Sequence, residues 1–201
     1  MDASPIYVAS HPGPILSLRQ GEIISDLVQT HLDLDQLEKG VGVMLSKNHN
    51  FCIILSQDCD IEQDCRIRSQ LVINNGKLDG NDKRIPNILF CEVATAQAVC
   101  NSNSDRVDGK TWKRIKINKD ERYHLLQKIA PTCDFSGDGL PELCIDFKRY
   151  FTIPTDEVYY RLRTGEAKRR CVLVSPYLEH LSSRFCYYLS RVALPLDHVS
   201  E

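Results

Sequence analysis

Chemistry is most concentrated in this chain at Gln57, Asp58, Cys59 and Asp60, where a thiol stands between two carboxylates. Three roles suit that cluster. Cys59 could be a nucleophile, but flanking carboxylates disfavour a thiolate, so a cation from elsewhere in the fold would have to offset them. Asp58 and Asp60, with Glu62 and Asp64, could offer oxygens to a hard cation such as magnesium, although the run lacks the glycine and terminal glutamate of a calcium loop. The third role is architectural: an aspartate caps the segment that follows while Cys59 packs inward. We expect the architectural role for Cys59 and a functional one for Asp60. A different chemistry is offered by Trp112 among Lys110, Lys113, Arg114 and Lys116, where one aromatic interleaved with cations could stack on a base while contacting phosphates. The same residues also suit a solvated strand face anchored by its Trp. Arg169 and Arg170, in a run with Lys168, are candidates for the same nucleic-acid surface or for an ordinary solvated turn. His49, His124 and His180 are scattered, and neither a Ser-His-Asp set nor a glycine-rich phosphate loop can be read.

The cluster follows directly on Phe51-Cys-Ile-Ile-Leu-Ser56, an apolar run without alternation, which predicts a central strand covered on both faces. Functional groups often gather where such a strand ends, because the strand fixes the backbone and the loop is free to carry chemistry. Ahead of it, residues 1–18 read as an extended arm and residues 20–29 as a strand opened by Gly21. A helical turn is expected at residues 34–39, closed by Gly40, then a strand at 41–46. The run Lys47-Asn-His-Asn50 predicts a hairpin turn into the central strand.

Further on, residues 65–86 and 101–110 are loop excursions from a single domain spanning 19–201. Residues 87–93 read as a strand, 94–100 as a helix and 113–117 as a half-exposed strand. Asn118, three residues before Glu121, starts a helix over 119–130 that Pro131 stops. The alternation of Leu143, Ile145 and Phe147 predicts a strand continuing toward Ile153. A helix follows at 155–162, a strand at 171–174, and a last helix with Ser175 as cap and Pro176 at its first position.

With 201 residues the chain can bury one sizeable core. A formal net charge of −2 gives no global attraction to nucleic acid or anionic membrane. The sequence is nonetheless polarised: carboxylates dominate its first third, and basic residues dominate 161–191. Nine cysteines are an odd number, several lie within strand-like runs, and no leader-like stretch precedes them. Reduced thiols in a cytoplasmic protein are therefore expected, without a zinc knuckle, because the chain has no C-x2-C pair. No apolar run approaches the roughly 20 residues of a membrane span.

Gly21-Glu-Ile-Ile-Ser-Asp-Leu27, Cys52-Ile-Ile-Leu-Ser56 and Ile88-Leu-Phe-Cys-Glu-Val93, the last followed by a small-residue helix, together resemble the strand order of the PemK/MazF toxins. That resemblance implies an SH3-like barrel and, since many members cut RNA, a nucleic-acid partner. Where the family has an Arg-Pro pair ahead of the central strand, this chain has His49 and Asn50. We therefore expect an α+β fold with a small, strongly bent antiparallel sheet or SH3-like barrel and carboxyl-terminal helices packed on it. The expected function is a non-catalytic or regulatory module, monomeric or homodimeric, binding nucleic acid or protein without a membrane or a cofactor. The alternative is a toxin-like or magnesium-assisted RNase centred on Gln57 to Asp60. Thiol titration of the denatured, non-reduced protein should find close to nine free cysteines; three or fewer would contradict the reduced state.

Overall fold

The computed structural model describes residues 6–9, 16–74, 82–101 and 107–191. Its centre is one seven-stranded sheet, antiparallel throughout and not closed into a barrel: β1 (Tyr7–Ala9), β2 (Glu22–Leu32), β3 (Met44–Ile54), β4 (Asn87–Thr95), β5 (Tyr123–Leu126), β6 (Leu143–Pro154) and β7 (Lys168–Leu173). Their order across the sheet is β1-β7-β2-β3-β4-β6-β5. The helices described are α1 (Leu34–Leu37), α2 (Asp58–Asn74), α3 (Ala96–Cys100), α4 (Gly109–Lys116), α5 (Thr155–Thr164) and α6 (Tyr177–Leu189), with a 3-10 turn at Pro131–Cys133.

The apolar run at the end of β3 is central, fourth of seven strands, and is buried on both sides. Ile53 and Leu55 join Ile23, Ile145, Phe147, Leu181 and Phe185 in a core beneath α6. Cys52 and Ile54 join Ile24, Ile61, Phe90, Val158 and Leu162 in a second core beneath α2 and α5. Ile115, Tyr123 and Cys144 form a third, smaller cluster, with Trp112 and Val99 packed against it. Gly21 is where the chain passes under α6: its φ is +73°, which strains any L side chain, and a Cβ there would stand 2.7 Å from Leu178 Cδ1 and 3.2 Å from Leu173 Cβ, so that Leu178 would have to shift.

Several expectations change. Lys47 to Asn50 do not turn; they lie inside one continuous strand, and the reversal is made by α1 and its flanks. Asp33 caps α1 by accepting from the amides of Asp35 and Gln36, and Gly40 takes the left-handed φ of +77°. Turn-forming types are tolerated in β3 because β2 supplies their ladder partners, Lys47 facing Gln29 and Asn48 facing Val28. The strand expected over 113–117 is the amphipathic helix α4, its amino end capped by Asp108, which accepts from Thr111 N at 2.7 Å. The helix expected over 119–130 gives way to β5, because Tyr123 and His124 bury opposite faces. Asn118, read as a helix cap, instead has φ +53° and hydrogen-bonds both ways with the Leu125 backbone. Pro176 is the residue before α6, at its cap, and Ser175 contributes no side-chain cap. Of the expected arm, residues 7–9 form the edge strand β1 and Leu18 is wholly buried, while residues 1–5 and 10–15 lie outside the described residues. The excursion at 65–86 contains most of α2, with residues 75–81 outside the described residues.

Two internal ion pairs fasten the margins. Arg169 donates to Glu22 through Nε at 2.5 Å and Nη2 at 2.9 Å, and to the carbonyls of Leu16 and Ser17. Arg170, one residue on across a bulge in the β2–β7 pairing, donates to Asp134 at 2.8 and 2.6 Å. Asp134 also accepts from the amides of Ser136 and Gly139. Burial alone would raise its pKa; Arg170 and those amides overcome this and hold it below the usual carboxylate range.

Arg184 of α6 reaches β5 in the same manner, donating to His124 Nδ1 at 2.9 Å, to Asn118 Oδ1 at 3.2 Å and to the carbonyls of Asp120 and Tyr123. Because the guanidinium only donates, His124 Nδ1 must accept, so the ring is neutral. Burial, then Arg184 and His180, push its pKa down to about 3. An unfolded histidine titrates near 6.5, so as pH falls from there toward 3 the unfolded chain gains a proton that the folded chain refuses, and stability is lost. Urea unfolding should show stability falling with acidification by up to about 1.4 kcal/mol per pH unit from this group. His124→Gln should give a flatter profile, and an unchanged slope would count against this assignment.

Candidate functional site

The Gln57–Asp60 cluster lies where β3 passes into α2, and its members have separate tasks. Asp58 accepts from Arg19 Nε and Nη2 at 3.1 and 2.9 Å and from the Gln20 amide at 2.6 Å, tying the start of β2 to the first turn of α2. Cys59 is exposed, its thiol 3.7 Å from Gln57 Oε1 and 3.6 Å from Asp60 Oδ1; it does not pack inward as expected. The cation that reaches this cluster is Arg19, and it engages Asp58. On a helix, residues two apart point to different sides, so the four carboxylates do not converge. Asp64 turns inward to Arg68 and the Ile85 amide. Among the described residues no group of three His, Cys, Asp or Glu is arranged to hold a metal ion.

A groove of about 640 Å³ opens instead at the other end of β3's apolar run, lined by residues 47–51, by Glu92 to Thr95, by Ala98 and Val99 of α3, and by Arg122, Tyr123, Cys144, Asp146 and Arg149. Two irregularities in the sheet create it. Asp26 of β2 takes a left-handed φ of +61°, which breaks the alternation, so Ile24 and Leu27 share one core and the rest of the β2–β3 hairpin bends across the sheet face. There Gln29 Nε2 reaches the Thr152 carbonyl, and His49 stacks on Phe151 with ring centroids 3.9 Å apart. In the β4–β6 ladder Cys91 pairs with Tyr150 and Val93 with Ile145, so two steps on β4 meet five on β6 and three extra residues bulge opposite Glu92. That bulge presents Asp146 and Arg149.

Glu92 is the hub. Its carboxylate accepts from Lys47 and from Arg149 Nη1 at 3.1 Å. Arg149 also lies 3.5 Å from Asp146, which takes a two-pronged contact from Arg122 at 2.7 and 2.5 Å. The result is an alternating line of charge, Lys47, Glu92, Arg149, Asp146, Arg122, along one wall. Burial would raise the Glu92 pKa, but hydrogen bonds from Lys47 and Arg149 outweigh it and hold the group below the usual carboxylate range. His49 lies beneath: Nε2 is 3.2 Å from Gln29 Oε1, and Nδ1 is 3.2 Å from Glu92 Oε1 at an angle outside hydrogen-bond geometry. Burial lowers the His49 pKa more than Glu92 raises it, so the ring is neutral at pH 7.

No family model, curated protein or solved structure matches this chain.

Of the residues singled out from sequence, Trp112 packs against the cluster of Ile115, Tyr123 and Cys144, two of which also line the groove, so α4 is joined to the groove wall from behind, and Lys113 and Arg114 are exposed on that helix without lining the groove. Arg169 and Arg170 lie on β7, second in the sheet, whereas β5 is seventh; at about 4.8 Å per strand they are roughly 24 Å away, and their guanidiniums are turned inward to carboxylates. They do not share a surface with Trp112. Lys47, His49, Glu92, Asp146 and Arg149 were not distinguishable in the sequence, because nothing in the spacing of residues 47, 92 and 149 discloses the register that brings them together.

The separate tasks of the cluster can be measured. Asp58→Ala removes an acceptor of three charged or backbone donors and should cost about 1–3 kcal/mol, whereas exposed Asp60→Asn should remain within about 0.5 kcal/mol of the wild type. Thermal or urea melts giving the reverse order would move the structural role from Asp58 to Asp60.

Proposed function

We propose that this chain is a non-catalytic, regulatory nucleic-acid-binding module, and that its binding surface is the groove lined by β3, β4, α3 and the β5–β6 wall. The observation that carries this reading is the convergence of Lys47, Arg122 and Arg149 on one groove, while the neighbouring helix α4, packed against Tyr123 and Cys144 of its wall, adds the exposed cations Lys110, Lys113, Arg114 and Lys116. Lys47 and Arg149 are each more than half exposed, so their heads can turn from Glu92 to a phosphate. Phe51, half-buried, supplies aromatic surface within the groove, against which an unpaired base could lie. Glu92 and Asp146 act as positioning acceptors that hold the cations in register. The PemK/MazF resemblance supports the same class of partner, and its three motifs fall on the neighbouring strands β2, β3 and β4. The SH3-like closure typical of those toxins is not needed for this groove, which rests on an open sheet.

An RNase reading has one observation in its favour: an ionised carboxylate, Glu92, beside cations, which suits a general base in phosphodiester cleavage. Against it, the His49 side chain is only 1% exposed and stacked on Phe151, so the acid partner cannot reach a substrate. Binding without cleavage is therefore the better reading.

Fluorescence anisotropy with short single-stranded RNA and DNA should show binding that weakens steeply between about 50 and 200 mM salt, through release of condensed counterions. Arg149→Ala should weaken binding and reduce the slope of log K against log salt by about 1. Salt-independent binding, or none at about 50 mM, would remove the proposal. Cleavage of the RNA that disappears in Glu92→Gln would replace it with the enzyme.

A further inference from the structure

The β2–β3 hairpin extends well past its neighbours. Pairing of β2 with β7 stops at Ser25, and pairing of β3 with β4 stops at Phe51. Beyond those points residues 27–32 and 44–49 pair with each other and, among the described residues, with no further strand. The tip buries nothing of its own, since α1 has no buried residue. Yet it is apolar: Leu32, Leu34, Leu37, Val41, Met44 and Leu45 are all exposed, Leu34 to 68% and Met44 to 57%.

Two features say what covers this arm. First, solitary two-stranded ribbons are marginal in water, and natural edges are blunted by lysine, proline or bulges. Neither lysine nor proline occurs at positions 28–32 or 41–46, so the outer arm lacks the devices that keep strands apart. Second, charge is graded along it. The tip carries Asp33, Asp35 and Glu38 against Lys39, whereas the base carries Lys47 and stands beside Arg149, two cations that share the one carboxylate of Glu92. From residue 27 to 32 the arm spans about 17 Å. Two arms laid antiparallel, centred near Thr30 and Ser46, would set each acidic tip against the other's basic base while the apolar residues meet between. Parallel or tip-to-tip contact would oppose like charges.

We propose that the outer hairpin is an interaction surface whose occupant is a second copy of this chain, packed arm against arm in an antiparallel, two-fold pair. The contact is isologous, so it closes at two copies.

Sedimentation velocity of the full chain across about 1–100 µM, which spans a micromolar dissociation constant, tests this. The expected result is a species of twice the 22.9 kDa chain mass. Leu45→Lys, which places a charge on the exposed strand, should shift it to monomer without lowering the melting temperature. Asp35→Lys combined with Glu38→Lys leaves both strands intact and should weaken pairing at least tenfold, more so at low salt. Hydrogen exchange on the wild type gives a readout free of substitutions: amides of residues 44–49 should gain protection as concentration rises. A wild type that stays monomeric throughout, a dimer untouched by all three substitutions, open higher assemblies, or exchange at 44–49 indifferent to concentration would each overturn the proposal.

Discussion

The run from Phe51 to Leu55 cannot be left wet on either side, and the architecture follows from that. Its odd and even positions demand separate apolar covers, supplied by α6 on one face and by α2 with α5 on the other. Polar chemistry is thereby expelled to the two ends of the strand. One end becomes a structural junction, where Asp58 gathers Arg19 and the Gln20 amide. The other becomes the groove, where the hairpin leaves the plane of the sheet and the β4–β6 ladder loses register.

Arginine is used here in two distinct ways. Arg169, Arg170 and Arg184 are internal fasteners, each matched to several acceptors; breaking such a pair leaves an uncompensated buried charge, although the intact pair itself need not add stability. Arg149, more than half exposed on the groove, meets its carboxylates where solvent competes, and Arg122 with Asp146 stands between the two cases. Burial, more than residue type, divides fasteners from candidate contacts.

That division explains what the sequence disclosed. The central strand, β4, β6, α5 and α6 were readable, because unbroken apolar runs and clean alternation report how many faces a segment buries. The strand assigned beside Trp112 is a helix: Ile115 and Ile117 alternate as in a strand, but only Ile115 is buried, and the helical pairing is Trp112 with Ile115, three residues apart. The β5 segment was misread for a related reason, since helix-favouring types and a plausible cap outweighed a tertiary demand visible only once Arg184 and β6 are in place. The groove itself was not readable. Glu92 looked like a polar interruption of a strand and Lys47 to Asn50 like a turn; their meaning depends on a left-handed aspartate and a three-residue slip in register, neither of which leaves a local signature.

The contacts of Arg184 bear on how the molecule opens. One side chain of α6 holds the backbone at Asp120 and Tyr123 and the ring of His124, so the last helix and the edge strand β5 are expected to open as a single cooperative unit. Tyr123 and Arg122 are part of that unit and also part of the groove wall. A transient excursion of the helix from the opposite face would therefore slacken the groove across the thickness of the sheet, without any rearrangement of β2, β3 or β4. An endoprotease cutting the segment between α4 and β5 would report the same event as one cutting within α6, and the two cleavages would share one opening free energy.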